Sequence, residues 1–247
     1  MNKKIVVSNY NSDLNWLKKT YTYGFGPNNT IIYNRGNDGR NWNQFGTVIQ
    51  QPNIGANQYD ILTFIIDNYD NLPDITIFLK GNIFKPFEGN LESNKNKPLT
   101  YYTTEKRFIQ TLNAEVYFSA WYNPDRYITC PETPKSMLDE GLMQQPLNYC
   151  DFSTNSDLEH RYFYHPYQVL DWCFVDFPKE QTIKFLPASN MALPKKNILN
   201  YSKGLYEKLK HIINYEPDYS FNCNIPAECY LLERIFYMIW TNKFTEK

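Results

Sequence analysis

The chain has 247 residues with 42% hydrophobic residues, so it is long enough to bury one sizeable core. Its formal net charge is −1 and its lysines are scattered, which disfavours binding to nucleic acid or to an anionic membrane surface. No apolar run approaches the roughly 20 residues that span a bilayer, and residues 1–4 lead directly into an apolar strand, so we expect a cytoplasmic protein with no transmembrane segment.

Two features of the composition bear on function without deciding it. Aromatic residues make up 17% of the chain and include 21 tyrosines, which suit stacking against sugars and equally suit a large mixed core. The cysteines are odd in number and form no C-x-x-C pair, which indicates reduced thiols in ordinary packing rather than a disulfide framework. They are Cys130, Cys150, Cys173, Cys223 and Cys229.

The N-terminal third alternates between strand and helix patterns. The pattern over residues 4–9 predicts a first strand, and side-chain oxygens within 11–13 can cap a short helix over 14–17. Residues 30–34 have the pattern of a second strand, and a polar, glycine-containing loop follows over 35–46. Such alternation is typical of a parallel sheet whose helices cross from one strand to the next.

A buried helix followed by a buried strand is the most informative stretch. Apolar residues over 61–69 cover more than one helix face, which predicts burial on a sheet. Pro73 cannot continue a helix, so the chain must turn there. Residues 75–79 are almost wholly apolar, which suits a central strand covered on both faces. The strand stops at the polar segment 80–82, and open α/β sheets bind ligands at such strand ends.

The rest of the chain predicts fewer regular elements. We predict a loop over residues 84–98, a helix over 104–112, a strand over 115–121 and an irregular Pro- and Asn-rich region over 124–157. We also predict a late strand over 182–187, a helix over 195–214 and a C-terminal helix over 226–240 that starts at Pro226. We therefore expect an α/β fold with a mixed, mostly parallel sheet flanked by helices, in a single domain over 1–247 with a loop-rich insertion or lid at about 84–160.

Polar residues at the ends of the predicted strands and before the long helix are candidates for ligand binding. Asn9, Tyr10 and Asn11 follow the first strand, where open sheets contact nucleotides. Asn53 and Gly55 precede the helix, whose free backbone amides can hold a phosphate or a sugar hydroxyl. Ordinary helix capping explains these two residues nearly as well.

The end of the third predicted strand is a second candidate position. Lys80 and Asn82 lie there, where a cation can neutralise a diphosphate, and a solvated loop lysine is the alternative. The predicted donor side also includes Tyr59 and Gly81, and the predicted acceptor side consists of Ser189 and Asn190.

Carboxylates on apolar helices are the candidates for acid–base chemistry, because burial of an ionised group is costly unless the group is paired or functional. Glu228 lies in the first turn of the C-terminal helix, where the helix dipole favours negative charge, and we expect it to face a cleft as a catalytic base. Glu233 on the same helix is a second catalytic candidate that we expect to be partly buried. The alternatives are that Glu228 is an ordinary acid at a helix start and that Glu233 forms a structural ion pair.

Common catalytic signatures are missing from the sequence. It contains no G-x-S-x-G, no G-x-x-x-x-G-K-[ST] and no G-x-G-x-x-G, which argues against a hydrolase elbow, a P-loop and a dinucleotide fingerprint. His160 and His165 flank an aromatic loop, but no third ligand with suitable spacing accompanies them. We therefore predict no metal site.

Four segments resemble a known family. They read IVVSNYNSDLNWL (5–17), NIG (53–55), FIIDNYDNLPDITIFLKGN (64–82) and LERIF (232–236). Together they resemble an uncharacterised domain-of-unknown-function family whose members are similar to glycosyltransferases of the A-type, Rossmann-like fold. The resemblance implies this glycosyltransferase A-like fold for nearly the whole chain.

The chain departs from that family pattern at two places. The family usually continues Asn-x-Gly with Arg-Glu, whereas Ala56 and Asn57 stand here, which removes an expected charged contact. Lys80, Gly81 and Asn82 stand where A-type glycosyltransferases place Asp-x-Asp, a motif that holds a metal ion. We therefore expect no requirement for a divalent metal, with Lys80 supplying the charge.

The resemblance implies a glycosyltransferase that takes a nucleotide-sugar donor and transfers the sugar to a glycan, lipid-linked or small acceptor in surface polysaccharide or glycoconjugate assembly. The donor-side and acceptor-side residues above would bind the two substrates, and Glu228 or Glu233 would deprotonate the acceptor hydroxyl. A non-catalytic carbohydrate- or nucleotide-binding module is the alternative. Transfer of another group in the same assembly is a third interpretation.

Overall fold

The computed structural model describes residues 1–84, 103–120, 137, 141–146, 150–153, 162–180, 182–214 and 226–247. Most of the predicted insertion over 84–160, with nearly all of the loop predicted at 84–98, lies outside the described residues. Cys130, Cys223 and His160 also lie outside them.

A mixed sheet forms the centre of the fold. The described strands are β1 (Lys3–Asn9), β2 (Thr30–Asn34), β3 (Thr47–Gln50), β4 (Ile75–Lys80), β5 (Phe118–Ser119), β6 (Met143–Pro146), β7 (Thr182–Phe185) and β8 (Met191–Pro194). Six of them form one sheet in the order β3-β2-β1-β4-β8-β5, in which β1 to β4 are parallel and β8 is antiparallel to both neighbours. The predicted α/β fold with a mixed, mostly parallel sheet is confirmed.

Strands β1 and β4 are apolar because both faces of the sheet are covered. Successive side chains of a strand point to opposite faces. Val6 and Phe78, which are paired across the two strands, join one core cluster, and the paired Ile5 and Ile77 join a second cluster. All four are at most 2% exposed. Burial of each such side chain stabilises the fold by about 1.5–3 kcal/mol.

Helices pack on each of these two clusters. The described α-helices are α1 (Ala56–Asp67), α2 (Glu105–Asn113), α3 (Pro166–Cys173), α4 (Lys195–Ile198), α5 (Lys203–His211) and α6 (Ala227–Thr241). Apolar residues of α1, α3, α5 and α6 belong to the Val6 cluster. Residues of α2 and of a 3-10 helix over Asn15–Tyr23 belong to the Ile5 cluster. The sheet is therefore covered on both sides, as the apolar patterns of α1 and β4 predict.

Several helix boundaries differ from the predicted ones. The helix predicted over 195–214 is divided into α4 and α5, because the Ser202 hydroxyl accepts from Leu205 N at 3.3 Å and caps a new helix start. Helix α1 begins earlier than predicted, at Ala56. Pro226 stands at the N-cap of α6 rather than in its first turn.

Strand predictions fail where the strands are short. Strands β3 and β8 have four residues each, no clear alternation, and a proline at the end of β8, so the sequence did not predict them. The late strand predicted over 182–187 exists as β7, but it pairs with β6 outside the main sheet. Among the described residues of the strand predicted over 115–121, only Phe118–Ser119 is a strand. Long-range pairing decides such elements.

Candidate functional site

The strand order of the main sheet reverses at β1. This strand lies between β2 and β4, so the chain builds the sheet first to one side of β1 and then to the other. The carboxyl ends of the four parallel strands, at Asn9, Asn34, Gln50 and Lys80, lie along one edge, together with the amino end of β8 at Met191. We call this row of strand ends the carboxyl edge. Open α/β sheets bind ligands in the crevice at such a reversal.

A chain of amide side chains connects the ends of β1, β2 and β3. Asn9 Nδ2 donates to Asn34 Oδ1 at 3.0 Å, and Asn34 Nδ2 donates to Gln50 Oε1 at 3.2 Å. Asn9 Oδ1 in turn accepts from Ser12 N at 3.2 Å. Asn9 is fully buried. The side chain of Asn9, a predicted donor-binding residue, is thus engaged within the protein and fixes the shape of the carboxyl edge.

Close packing at the carboxyl edge requires two glycines. A Cβ atom on Gly81 would lie 2.4 Å from Asn9 Oδ1, and one on Gly36 would lie 2.1 Å from Asn11 Oδ1. Both distances are well below ordinary van der Waals contact. Gly81, a predicted donor-side residue, therefore lets the chain that leaves β4 approach the end of β1.

Strained backbone accompanies this edge. Among the described residues, the non-glycine residues with positive φ are Asn11 (53°), Ala56 (51°) and Ser189 (50°). Asn11 follows β1, Ala56 opens α1 directly after the left-handed Gly55, and Ser189 comes just before β8. Such strain costs about 1–3 kcal/mol per residue and clusters at ligand sites. Two of the predicted site residues, Asn11 and Ser189, share this property.

The acceptor-side residues contact the end of β4. Asn190 is fully buried, and its Oδ1 accepts from the backbone N of Lys80 at 2.7 Å. Its Nδ2 has no hydrogen-bond partner among the described residues. Gln58 Nε2 lies 3.5 Å from Ser189 Oγ, and Gln58 Oε1 also lacks a partner within the described ranges. The structure therefore brings Ser189 and Asn190 next to Lys80 and to the first turn of α1.

Three more of the predicted donor residues are at least partly accessible. Tyr10 directly follows β1 and is 55% exposed, so its ring is open to a ligand. Asn53 and Asn82 are half-buried, in the loop before α1 and in the turn after β4.

A buried ion pair, which the sequence analysis did not identify, lies beside the carboxyl edge. Arg35 Nε is 3.2 Å from Asp60 Oδ2, with side chains 8% and 0% exposed. Burial raises the pKa of Asp60 to about 7, and Arg35, the Ser8 hydroxyl and Lys210 act in the opposite direction. Neither Asp60 oxygen receives a hydrogen bond of regular geometry from the part of the chain described. The sequence did contain a sign of this ion pair, since Asp60 is a carboxylate within the apolar pattern of α1.

A second cation lies near Asp60. Lys210, at the end of α5, places Nζ 4.5 Å from the ring centroid of Tyr59. Burial lowers the pKa of Lys210, and the carboxylates of Asp67 and Asp60 oppose this effect. Tyr59, a predicted donor-side residue, is 8% exposed, and burial raises the pKa of its hydroxyl. Tyr59 therefore contributes an apolar wall and a cation contact rather than an exposed hydroxyl.

Comparison with known proteins gives one result. The profile of one protein family, described as "Protein of unknown function (DUF3431)", matches residues 5–247. The chain belongs to the DUF3431 family. This confirms the predicted membership in a domain-of-unknown-function family, while the likeness of that family to glycosyltransferases stays a prediction. No curated protein and no solved structure matches this DUF3431 chain.

The two predicted catalytic acids of the DUF3431 chain lie in different environments. Glu228 is fully buried, and its Oε1 accepts from the backbone N–H groups of Tyr162 (2.7 Å) and Phe163 (3.2 Å). Glu233 keeps 15% of its side chain exposed and pairs with Arg234 at 2.8 Å. The expectation that Glu228 faces a cleft is wrong, because residues 162–163 cover the start of α6. A catalytic role for either acid stays a prediction.

Other candidate sites receive little support in this DUF3431 chain. Within the described ranges, no group of three or more His, Cys, Asp or Glu side chains is arranged to hold a metal ion. His165 caps α3 by accepting from Tyr167 N at Nδ1. A surface depression between residues 171–179 and Phe244 includes no residue of the carboxyl edge. None of the helices described is long and apolar enough to traverse a bilayer.

Proposed function

We propose that this chain is a glycosyltransferase-like enzyme that binds a nucleotide-sugar at the carboxyl edge. It transfers the sugar to a glycan, lipid-linked or small acceptor in surface polysaccharide or glycoconjugate assembly, and it acts in the cytoplasm. The observation that carries this proposal is the concentration of buried polar side chains and positive-φ residues where the order β3-β2-β1-β4 reverses. Nucleotides bind at this point of open α/β sheets.

The donor site in this proposal extends from β1 to β4. The exposed ring of Tyr10 stacks on the base, and Asn11 contacts the nucleoside. The N-cap of α1 is Gly55, and the partial positive charge at this helix start favours a phosphate. Lys80 supplies positive charge to the diphosphate.

The acceptor and the base complete the proposed reaction. Ser189 and Asn190 lie next to the end of β4, so an acceptor held by them is close to a donor held at Lys80. Glu228 or Glu233 takes the proton of the acceptor hydroxyl, whose oxygen attacks the anomeric carbon while the nucleoside diphosphate leaves. Base catalysis by Glu228 requires residues 162–163 to move first, because both of their amides now bind its carboxylate.

A titration with nucleoside diphosphates tests the donor site. Calorimetry with the diphosphates of uridine, guanosine, cytidine and deoxythymidine should show binding of at least one of them in the millimolar range or tighter. Tyr10→Ala should weaken that binding about tenfold, since stacking on a base contributes about 1–3 kcal/mol. The matched control is Tyr23→Ala, because Tyr23 is also exposed (37%) but lies at the end of the 3-10 helix, toward the amino end of β2.

The same titration separates the proposal from its alternative. Absence of binding by all four diphosphates contradicts the donor site. Binding without hydrolysis of the matching nucleotide-sugar and without transfer to any acceptor favours the non-catalytic binding module.

Donor binding should change little when divalent metal is removed. We expect chelation by EDTA to alter the affinity for the diphosphate by less than about twofold, since Lys80 supplies the charge. Lys80→Ala should weaken the diphosphate about tenfold and leave the matching nucleoside within about twofold, because only the diphosphate carries the paired charge. Lys4→Ala is the control, since Lys4 is also half-buried but lies at the amino end of β1. Loss of binding on chelation would refute metal independence.

A further inference from the structure

Arg35 lies at the carboxyl edge and has no role in the site proposed above. It follows β2 directly, and its backbone N donates to Asn9 O at 2.9 Å. Its guanidinium is held against α1 by the ion pair with Asp60. The residue is therefore fixed at both ends, between the end of β1 and the first turns of α1.

The guanidinium of Arg35 has N–H groups that form no hydrogen bond within the described part of the chain. An arginine carries five N–H donors in a planar fork and no acceptor. The Nε group is enclosed and faces Asp60, whereas the two Nη groups make no hydrogen bond to any residue in the described ranges. The side chain as a whole is 8% exposed. A cation so deeply buried costs free energy unless its donors are used, so this fork is suited to a ligand.

The surroundings of Arg35 favour an anion. Lys210 adds a second positive charge close enough to Asp60 to affect its ionisation. The amino end of α1, which follows Gly55, adds the partial positive charge of the helix dipole. One buried carboxylate, Asp60, opposes them. Phosphate and carboxylate groups match the two parallel donors of a guanidinium fork.

We propose that Arg35 is an oxyanion-binding residue whose two Nη groups hold a phosphate of the donor. This inference rests on the proposed function, because the nucleotide supplies the phosphate. Strands β2 and β4 flank β1, so the chain ends that carry Arg35 and Lys80 are about 10 Å apart, or two strand spacings. The two cations therefore approach a diphosphate above β1 from opposite sides.

Inorganic pyrophosphate is the probe that tests this site, measured by calorimetry on the full chain. Loss of Arg35 alone leaves Asp60 buried without its partner, so the main variant is Arg35→Gln with Asp60→Asn, which removes both charges. We expect this double variant to bind pyrophosphate at least about tenfold more weakly than wild type, because it loses a charge-assisted pair of hydrogen bonds to the anion. Asp60→Asn alone keeps the cation and should bind at least as tightly as wild type.

The loop after β2 offers a matched control. Arg40 also pairs with an aspartate, Asp38, but both side chains are more exposed, at 39% and 22%. Arg40→Gln should leave the affinity for pyrophosphate within about twofold. Far-ultraviolet circular dichroism verifies that each variant is folded. Arg35→Lys keeps the charge without the fork, and it should bind more weakly than wild type.

The outcomes separate this inference from the proposed function. If a folded double variant binds pyrophosphate as tightly as wild type, or if wild type does not bind it, the role of Arg35 is overturned even where nucleoside diphosphates bind. If pyrophosphate binding depends on Arg35 but none of the four nucleoside diphosphates binds, the oxyanion site stands and the nucleotide-sugar donor is overturned.

Discussion

Between about pH 5 and about pH 8, the wild-type chain should lose about 2–3 kcal/mol of unfolding free energy relative to the Asp60→Asn variant. Burial raises the pKa of Asp60 in the folded chain to about 7, whereas an aspartate in the unfolded chain titrates near pH 4. At about pH 5 the folded state therefore binds a proton that the unfolded state has released. The stabilisation that this extra proton gives is fully present below the pKa of Asp60 in the unfolded chain, and it is lost as the pH rises through the pKa of Asp60 in the folded chain.

Urea denaturation at a series of pH values measures this difference directly. The variant has no carboxyl group at position 60, so its curve carries the pH dependence of all the other groups. Asp67→Asn is the matched control, because Asp67 ends the same helix but is exposed, and this variant should follow the wild type. Wild-type and Asp60→Asn curves that stay parallel over the whole range would show that Asp60 titrates normally.

Glu228→Ala should lower the free energy of unfolding by about 3 kcal/mol. The substitution removes the acceptor of two backbone N–H groups, those of Tyr162 and Phe163, and hydrogen bonds to a charged group contribute about 1.5–3 kcal/mol each. Glu233→Ala should cost about half as much, roughly 1.5 kcal/mol, because it removes one charge-assisted hydrogen bond and Arg234 still donates to Gln145 Oε1 at 3.2 Å. Urea denaturation of both variants at one pH measures the contrast. Equal losses would mean that the two amides find another partner.

Glu228→Gln separates the structural role of this acid from the catalytic one. Glutamine retains an oxygen that accepts from both amides, so this variant should be more stable than Glu228→Ala. If Glu228 is also the base, its turnover should fall by about 10²-fold with donor binding intact. Full turnover in Glu228→Gln together with loss in Glu233→Gln would assign the base to Glu233. Full turnover in both variants would exclude α6 from the chemistry.

The site was partly predictable because strand ends can be read from apolar patterns. Asn9, Tyr10, Asn11, Lys80 and Asn82 were predicted at the ends of strands, and they lie at the ends of β1 and β4. Arg35 and Asp60 were not predicted, although β2 and the helix that contain them were. An ion pair between residues 25 positions apart depends on how α1 lies against β2, and no local pattern records that distance.

The sequence by itself determined β1, β2 and β4, whose strong apolar runs end at polar residues, and it determined that α1 is buried. These elements follow from local periodicity, which the hydrophobic effect imposes on each segment separately. The tertiary structure alone decided that β8 enters the sheet antiparallel beside β4 and brings Asn190 to Lys80. It also decided that Glu228 is enclosed by residues 162–163. These features depend on contacts between segments that are far apart in the sequence. Such contacts contribute free energy only once the fold has brought the segments together.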